Sequence, residues 1–509
     1  MKINIFLKKI KSSSRLQLFF LFSLFFFLSI LVTIPSSTHA LDEGWAADIG
    51  NNIANGKSLY KDISAPYGPT VFYLYGLIIS LFGKQFFIFR IIGSLIIILQ
   101  SYYTVKIVKI FTQNNLIIVG SAFISLFSLG VYQGCRITAS TIAGLITLML
   151  VFYHIKYYLN REKFFLIIVG GLFALLLLTK HNVFAIDVVG HGFFILLYSV
   201  IIFKKEKRID NGFIIIIAAF LLFLIPYLTY TYSYIDILFN DTILSISKYK
   251  SSDILIPFPT IFEIFNMNIS QLINSLFVYS IFPLITFGAI IIIYQYERKI
   301  NIKPELVFLF LITILHFFEI YPLSDYSHYS RATVLYPSLI GVLFFISQGL
   351  KNKLTSFLLL ITVILHLYIS PINFIKNLKT IISEPNSNLP YHELIKKVPN
   401  EELMIKILNE IEKNKPNEIL IIGHANVYYY LSDKITKSRF SIITNHYLDD
   451  DDQKDVIREI EKNNIKMILE SPSVRKNREL DELSLLNNHI ENNFILKKKI
   501  NGFNFFIHN

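Results

Sequence analysis

From Leu16 to Pro371 the chain alternates apolar runs with short polar breaks. A hydrocarbon core of roughly 30 Å takes about 20 apolar residues per helix, so each long run predicts a membrane-spanning helix. The runs fall at 16–34, 86–105, 115–132, 137–157, 164–179, 183–203, 212–232, 271–294, 305–321, 332–349 and 354–371, about eleven spans in all. One further run, 69–83, is only about 15 residues long and reads as an interfacial or re-entrant helix.

Basic residues orient these spans. Lys2, Lys8, Lys9, Lys11 and Arg15 precede the first run, which puts the N-terminus in the cytoplasm and Asp42 outside. The later Lys- and Arg-rich breaks are all cytoplasmic only if a single span lies between the first outer loop and Lys106. The residues before Leu41 also resemble a signal-peptide cleavage site, and a cleaved leader would leave Asp42 outside as well. The outer face then receives loop 35–85, the turns at Gln133 to Arg136 and Lys180 to Asn182, loops 233–270 and 322–331, and the tail from 372.

The tail changes period. EILIIG, RFSII, IKMILES and FILKKKI read as short strands, and two segments with polar faces have helical spacing. The fold expected is therefore an α-helical polytopic membrane protein with a small C-terminal α/β extracytoplasmic domain. Its division is a transmembrane domain at 1–371, holding the outer loop 35–85, and the domain 372–509. The tail has neither a GxGxxG nor a P-loop.

Composition agrees: 53% of the residues are hydrophobic and 17% charged. The net charge of +12 does not indicate a nucleic-acid partner, because many of the Lys and Arg sit in short loops between spans. A single cysteine, Cys135, excludes an intrachain disulfide and any CxxC motif.

Candidate chemistry gathers at the outer face. Asp42 and Glu43 follow the first span, where a carboxylate can act as general base beside a lipid head group; the plain alternative is a solvated loop or helix cap. Asp48 is a secondary candidate, and Trp45 reads as an interfacial anchor. Arg90 and Arg136 each open a span, with snorkelling as the plain reading. Lys180 and His181 lie in a turn with almost no loop and suit a phosphate. Asp187 and His191, spaced i,i+4 inside the membrane, call for a pair or a cavity. Beyond Glu319, near an outer helix end, Asp325, His328 and Arg331 form the densest polar cluster between two spans, suited to sugar hydroxyls and a phosphate. No spacing matches a zinc motif such as HExxH.

The ordered set of first span, DE pair, NGKSLYKD, PYGP turn, short aromatic helix, Arg90, TKHN turn and SDYSHYSRATVLYP resembles the C-type (GT-C) membrane glycosyltransferases. Within them it is most similar to the branch holding protein O-mannosyltransferases and lipid A aminoarabinose transferases. One departure stands out: the family's Lys-Pro-Pro is here Tyr67-Gly68-Pro69, which removes a lysine often assigned to phosphate. The resemblance implies inverting transfer of a sugar from a polyprenyl-phosphate carrier to an acceptor hydroxyl on a glycan, lipid or protein. Asp42 is then the base, and Lys180 with Arg331 or Arg136 holds the phosphate. Glu43, Asp48, His181, Asp325 and His328 are the further substrate-binding candidates. No obligatory metal is expected, although the family divides on this point, and the site is expected on the outer side of the plasma or inner membrane. The competing readings are a transporter or flippase, which places its polar groups near the midplane, and a ligase or polymerase using pyrophosphate-linked donors.

Overall fold

The protein is described by a computed structural model covering residues 13–34, 42–127, 135–207, 211–244, 281–297, 303–320, 334–350, 375, 377–392, 395–397, 400–414, 418–423, 425–441, 443, 448–472 and 483–509. Its chain forms two compact units, one of Met1–Ile34, Ile91–Tyr227 and Ser251–Lys379, the other of Pro35–Arg90, Leu228–Lys250 and Thr380–Asn509.

The first unit is a helical bundle. It holds α1 (Ser14–Leu28), while α2 (Asp42–Ala54) and α3 (Thr70–Phe82) belong to the second unit. The bundle continues with α4 (Phe86–Phe111) from Ile91 on, α5 (Asn115–Ser125), α6 (Ala139–Asn160), α7 (Phe164–Leu177), α8 (His181–Glu206) and α9 (Gly212–Thr231) to Tyr227. It also holds α10 (Ile281–Glu297), α11 (Pro304–Phe317) and α12 (Tyr336–Leu350). Polar caps fix the starts: Asn114 accepts from the Leu116 amide at 3.0 Å, and Thr138 from the Thr141 amide at 3.0 Å. Close approach needs small residues, because lipid supplies no hydrophobic drive between helices. A Cβ on Gly170 of α7 would lie 2.5 Å from the Ile216 carbonyl oxygen of α9.

Among the described residues five helices are long and apolar enough to cross a membrane: Ser14–Val32, Phe86–Phe111, Ala139–Asn160, His181–Lys204 and Gly212–Thr242. These helices lie at five of the expected spans. The expected spans at 115–132, 164–179, 271–294, 305–321 and 332–349 contain shorter apolar helices, as does the interfacial run, now α3. The last expected span, 354–371, lies outside the described residues.

The second unit joins α2 and α3 to the C-terminal residues, so the expected catalytic loop gathers with the tail. The tail contains α13 (Glu401–Asn414), β1 (Ile419–Ile422), α14 (Asp450–Lys462), β2 (Met467–Glu470), α15 (Ser484–Asn493), β3 (Phe494–Ile500) and β4 (Phe503–His508). Its sheet has the order β1-β2-β4-β3, with β1 and β2 parallel and the rest antiparallel. The β3–β4 hairpin turns on Asn501 and Gly502, both at positive φ. Leu420, Val456, Ile460, Ile468, Leu486 and Phe506 meet in its core. Two expectations are corrected here. Of the RFSII segment, residues 439–441 and 443 lie outside any strand: the Ser64 amide donates to the Arg439 carbonyl at 2.6 Å, the Arg439 amide to Glu459 Oε1 at 3.0 Å and the Gly423 amide to the Ile443 carbonyl at 2.8 Å. The fourth strand is instead β4, which sequence reading left unassigned.

Candidate functional site

Asp42 is the first residue of α2, and the side chain after it is committed. Glu43, 2% exposed, takes Arg90 in a bidentate pair, Nε to Oε1 at 3.1 Å and the second guanidinium nitrogen to Oε2 at 2.6 Å. Arg90 is 0% exposed, so it does not snorkel; a buried guanidinium needs a paired carboxylate, and Glu43 supplies it. Glu43, expected among the substrate-binding groups, thus spends both oxygens on locking the start of α2 to the start of α4.

Asp48, five residues further along α2, is 0% exposed. Its Oδ1 accepts from Asn52 Nδ2 at 3.1 Å, and its Oδ2 has no hydrogen-bond partner. Burial raises its pKa to about 8, against the opposing pull of Lys57 and Lys84 and of the Asn426 and Asn52 amides. It is therefore a neutral acid inside the unit at neutral pH. Half-buried Trp45 has partners of its own: its Nε1 donates to Ser441 Oγ at 3.2 Å and its ring meets Tyr67 and Phe72 edge-on.

The loop carrying these residues is fastened by one stretch of the tail, 425–441. A Cβ on Gly44 would lie 2.4 Å from Val427 Cβ, so only glycine allows α2 this close. Lys57 Nζ donates to the Thr436 carbonyl, the Ser441 amide to Ser64 Oγ at 3.2 Å, and Arg439 makes a bidentate pair with Asp241 at 2.7 and 2.8 Å. Lys84 pairs with Asp433 at 2.7 Å, and with Tyr391 it holds that carboxyl below the usual range. Sequence reading missed this clasp, since its partners lie hundreds of residues apart.

The bundle unit holds a second polar constellation. Lys180, in the turn between α7 and α8, donates to Glu319 Oε1 at 2.5 Å and to Ser140 Oγ at 2.7 Å. Ser140 opens α6 four residues after half-buried Arg136, so Arg136 and Lys180 share one end of the bundle. His181, which starts α8, is half-buried with its Nδ1 unpaired. Asp187 does lie near His191, at 3.8 Å, but its nearer partners come from other helices: Thr147 Oγ1 at 2.6 Å and His316 Nε2 at 3.2 Å. His154, His316 and Thr147 were not among the sequence candidates, because single polar residues in apolar helices carry no spacing signal. Asp325, His328 and Arg331 lie outside the described residues. Among the described residues no group of three or more His, Cys, Asp or Glu is arranged to hold a metal ion.

No protein-family profile matches the sequence, and no curated protein matches it. Solved structures do. ArnT from Cupriavidus metallidurans bound to undecaprenyl phosphate matches with a TM-score of 0.57 and 11% identity, over 96% of this chain and 97% of that one. The same protein in the apo state gives a TM-score of 0.60 and 11% identity, over 97% and 98%. The Archaeoglobus fulgidus oligosaccharyltransferase in its apo form gives 0.55 and 10%, over 92% of this chain and 71% of that one. Over nearly its whole length, the chain shares the fold of these solved structures.

Proposed function

We propose that this protein is an inverting glycosyltransferase that moves a sugar from a polyprenyl-phosphate carrier to an acceptor hydroxyl at the outer face of the plasma or inner membrane. The observation that carries the reading is the fold likeness to ArnT bound to undecaprenyl phosphate, spanning 96% of this chain and 97% of that one. The acidic pair at the head of α2 adds to it.

In this reading Asp42 takes the proton of the acceptor hydroxyl as its oxygen attacks the anomeric carbon. The bond from that carbon to the phosphate oxygen breaks on the opposite face, which inverts the centre. The electron pair stays on the phosphate, a leaving group that needs no general acid, unlike the departing sugar oxygen in glycoside hydrolysis. Lys180, with Arg136 or Arg331, meets the growing phosphate charge. Glu43 acts through Arg90 to hold α2 in place. His181, Asp325 and His328 are assigned to the sugar hydroxyls and the phosphate, and Asp48 supports the loop from inside. No metal has a step; activity that survives a chelator tests this.

The experiment is transfer of labelled sugar from polyprenyl-phosphate donors by membranes holding wild type or Asp42→Asn at equal protein level. A loss of about a hundredfold or more is expected for a removed general base. Full activity in the variant moves the base elsewhere. Transfer only from pyrophosphate-linked donors, or none at all, overturns the reading.

A further inference from the structure

The bundle unit buries more ionisable side chains than one phosphate-binding lysine requires. Behind the Lys180–Glu319 pair, His316 lies between two carboxylates, with Nδ1 3.8 Å from Glu319 Oε2 and Nε2 3.2 Å from Asp187 Oδ1. His191 and His154 meet Nδ1 to Nδ1 at 2.6 Å with parallel rings, one donating and one accepting, so the acceptor is neutral. Lys180, Asp187, His191, His316, Glu319 and His154 are all less than 9% exposed.

Charge can be counted in such a cluster, because a lone ion buried among apolar helices is strongly disfavoured. Lys180 balances Glu319. Asp187 then needs a cation, and His316 is the imidazole placed to bond it while facing the second carboxylate. Among the described residues these four form a neutral set, with Lys180 and His316 positive and Asp187 and Glu319 negative.

We propose that Glu319, His316 and Asp187 are positioning residues for Lys180, which set the net charge that this end of the bundle presents to the phosphate of a polyprenyl-phosphate carrier. The inference rests on the reading of Lys180 as a phosphate partner. The sugar-loaded carrier is a phosphodiester with one negative charge. Once its glycosidic C–O bond breaks, the phosphate keeps the electron pair and becomes a monoester with up to two charges, while the acceptor proton stays on the base. The product therefore asks for more cation than the donor did. A lysine shared with Glu319 inside a neutral cluster can turn toward that phosphate as its charge grows, and the carboxylate left behind keeps His316 as its nearest cation.

The sign of the effect separates this from a packing role. Binding of undecaprenyl phosphate is measured on the purified full-length protein in nanodiscs. Glu319→Gln leaves one surplus positive charge and tightens binding about tenfold; His316→Gln leaves one surplus negative charge and weakens it about tenfold. The charge-balanced double variant returns to within about twofold of wild type. Lys180→Met binds weakly. Loss of binding in both single variants and further loss in the double overturns the proposal, as does no change in any of the three while Lys180→Met is weak. Unchanged binding in Lys180→Met overturns the phosphate reading itself. If the single variants fail to fold, the two balanced doubles decide: Glu319→Gln with His316→Gln keeps binding, whereas Lys180→Met with Glu319→Gln loses it. Loss in the first of these overturns the proposal.

Discussion

Glu43 and Arg90 lie 47 positions apart and close on each other through two hydrogen bonds of 3.1 and 2.6 Å, both side chains buried. Breaking such a pair leaves an uncompensated buried charge, a cost of about 3–5 kcal/mol. Glu43→Gln and Arg90→Met are therefore each expected to lower the thermal unfolding midpoint clearly and to reduce transfer. Replacing both with apolar residues of similar volume recovers most of the stability, because no charge is stranded. Thermal unfolding of the three variants in detergent checks this; a double variant no more stable than the singles counts against the ion-pair account.

Asp48 predicts a pH dependence whose direction follows from its burial. Its pKa is about 8 in the folded chain against 3.8 for the free side chain. Between those values the folded state holds a proton that the unfolded state has lost, so stability falls as pH rises, by about 1.4 kcal/mol per unit for this group. Below the lower value the contribution is fully present, and above about 8 the loss stops growing. Asp48→Asn carries a permanent neutral mimic. Its unfolding midpoint is expected to decline less than that of wild type from pH 5 to 8, and the two curves to run parallel above that. Parallel curves throughout the range would show that Asp48 is not buried as a neutral acid.

Five long apolar helices were legible because an apolar run of that length has one local reading, and the tail helices Glu401–Asn414 and Asp450–Lys462 because their polar and apolar positions kept a 3.6 period. What the sequence withheld was long-range pairing. Asp187 and His191 share a helix face, so their spacing advertised each other, yet the shorter bond of Asp187 goes to His316, 129 residues away. Arg90 looked like a snorkelling residue because position at a span end cannot tell a solvated guanidinium from one buried on Glu43. The RFSII segment had the composition of a strand, but the backbone bonds of residues 439–441, which no residue type encodes, lie outside the sheet. Trp45 shows the same limit: its indole suited an interface by type, while its bond to Ser441, 396 residues away, had no local signal.

Gly44 is expected to be intolerant of any side chain. An added Cβ would meet Val427 Cβ at 2.4 Å, and overpacking of this kind costs typically 1–3 kcal/mol. Gly44→Val should lower both the unfolding midpoint and the rate of transfer, since it pushes α2 from the segment that seats it. Val427→Gly is the second-site change that opens the space and is expected to restore part of both. A Gly44→Val protein with wild-type stability would show that α2 and the tail do not pack this closely.

The pair between Arg439 and Asp241 tests how far the tail governs the outer loop. Arg439 reaches Asp241 through two bonds of 2.7 and 2.8 Å and the Tyr60 carbonyl at 3.3 Å, while its own carbonyl accepts from the Ser64 amide at 2.6 Å. One residue therefore ties three stretches of the second unit. Arg439→Lys keeps the charge but cannot form the bidentate fork, so a conservative change is expected to behave as a disruptive one. Arg439→Met removes the charge as well and leaves Asp241, only partly buried, free to hydrate. Both variants should keep the β-sheet domain folded, because the Arg439 side chain lies outside its apolar core of Leu420, Val456, Ile468 and Phe506. Limited proteolysis reads the difference: cleavage is expected to rise in 55–68 and 233–245 while the tail from 448 stays protected. Transfer should fall with the loop's order. Faster cleavage with an unchanged rate would mean that the clasp stabilises the loop without serving the reaction.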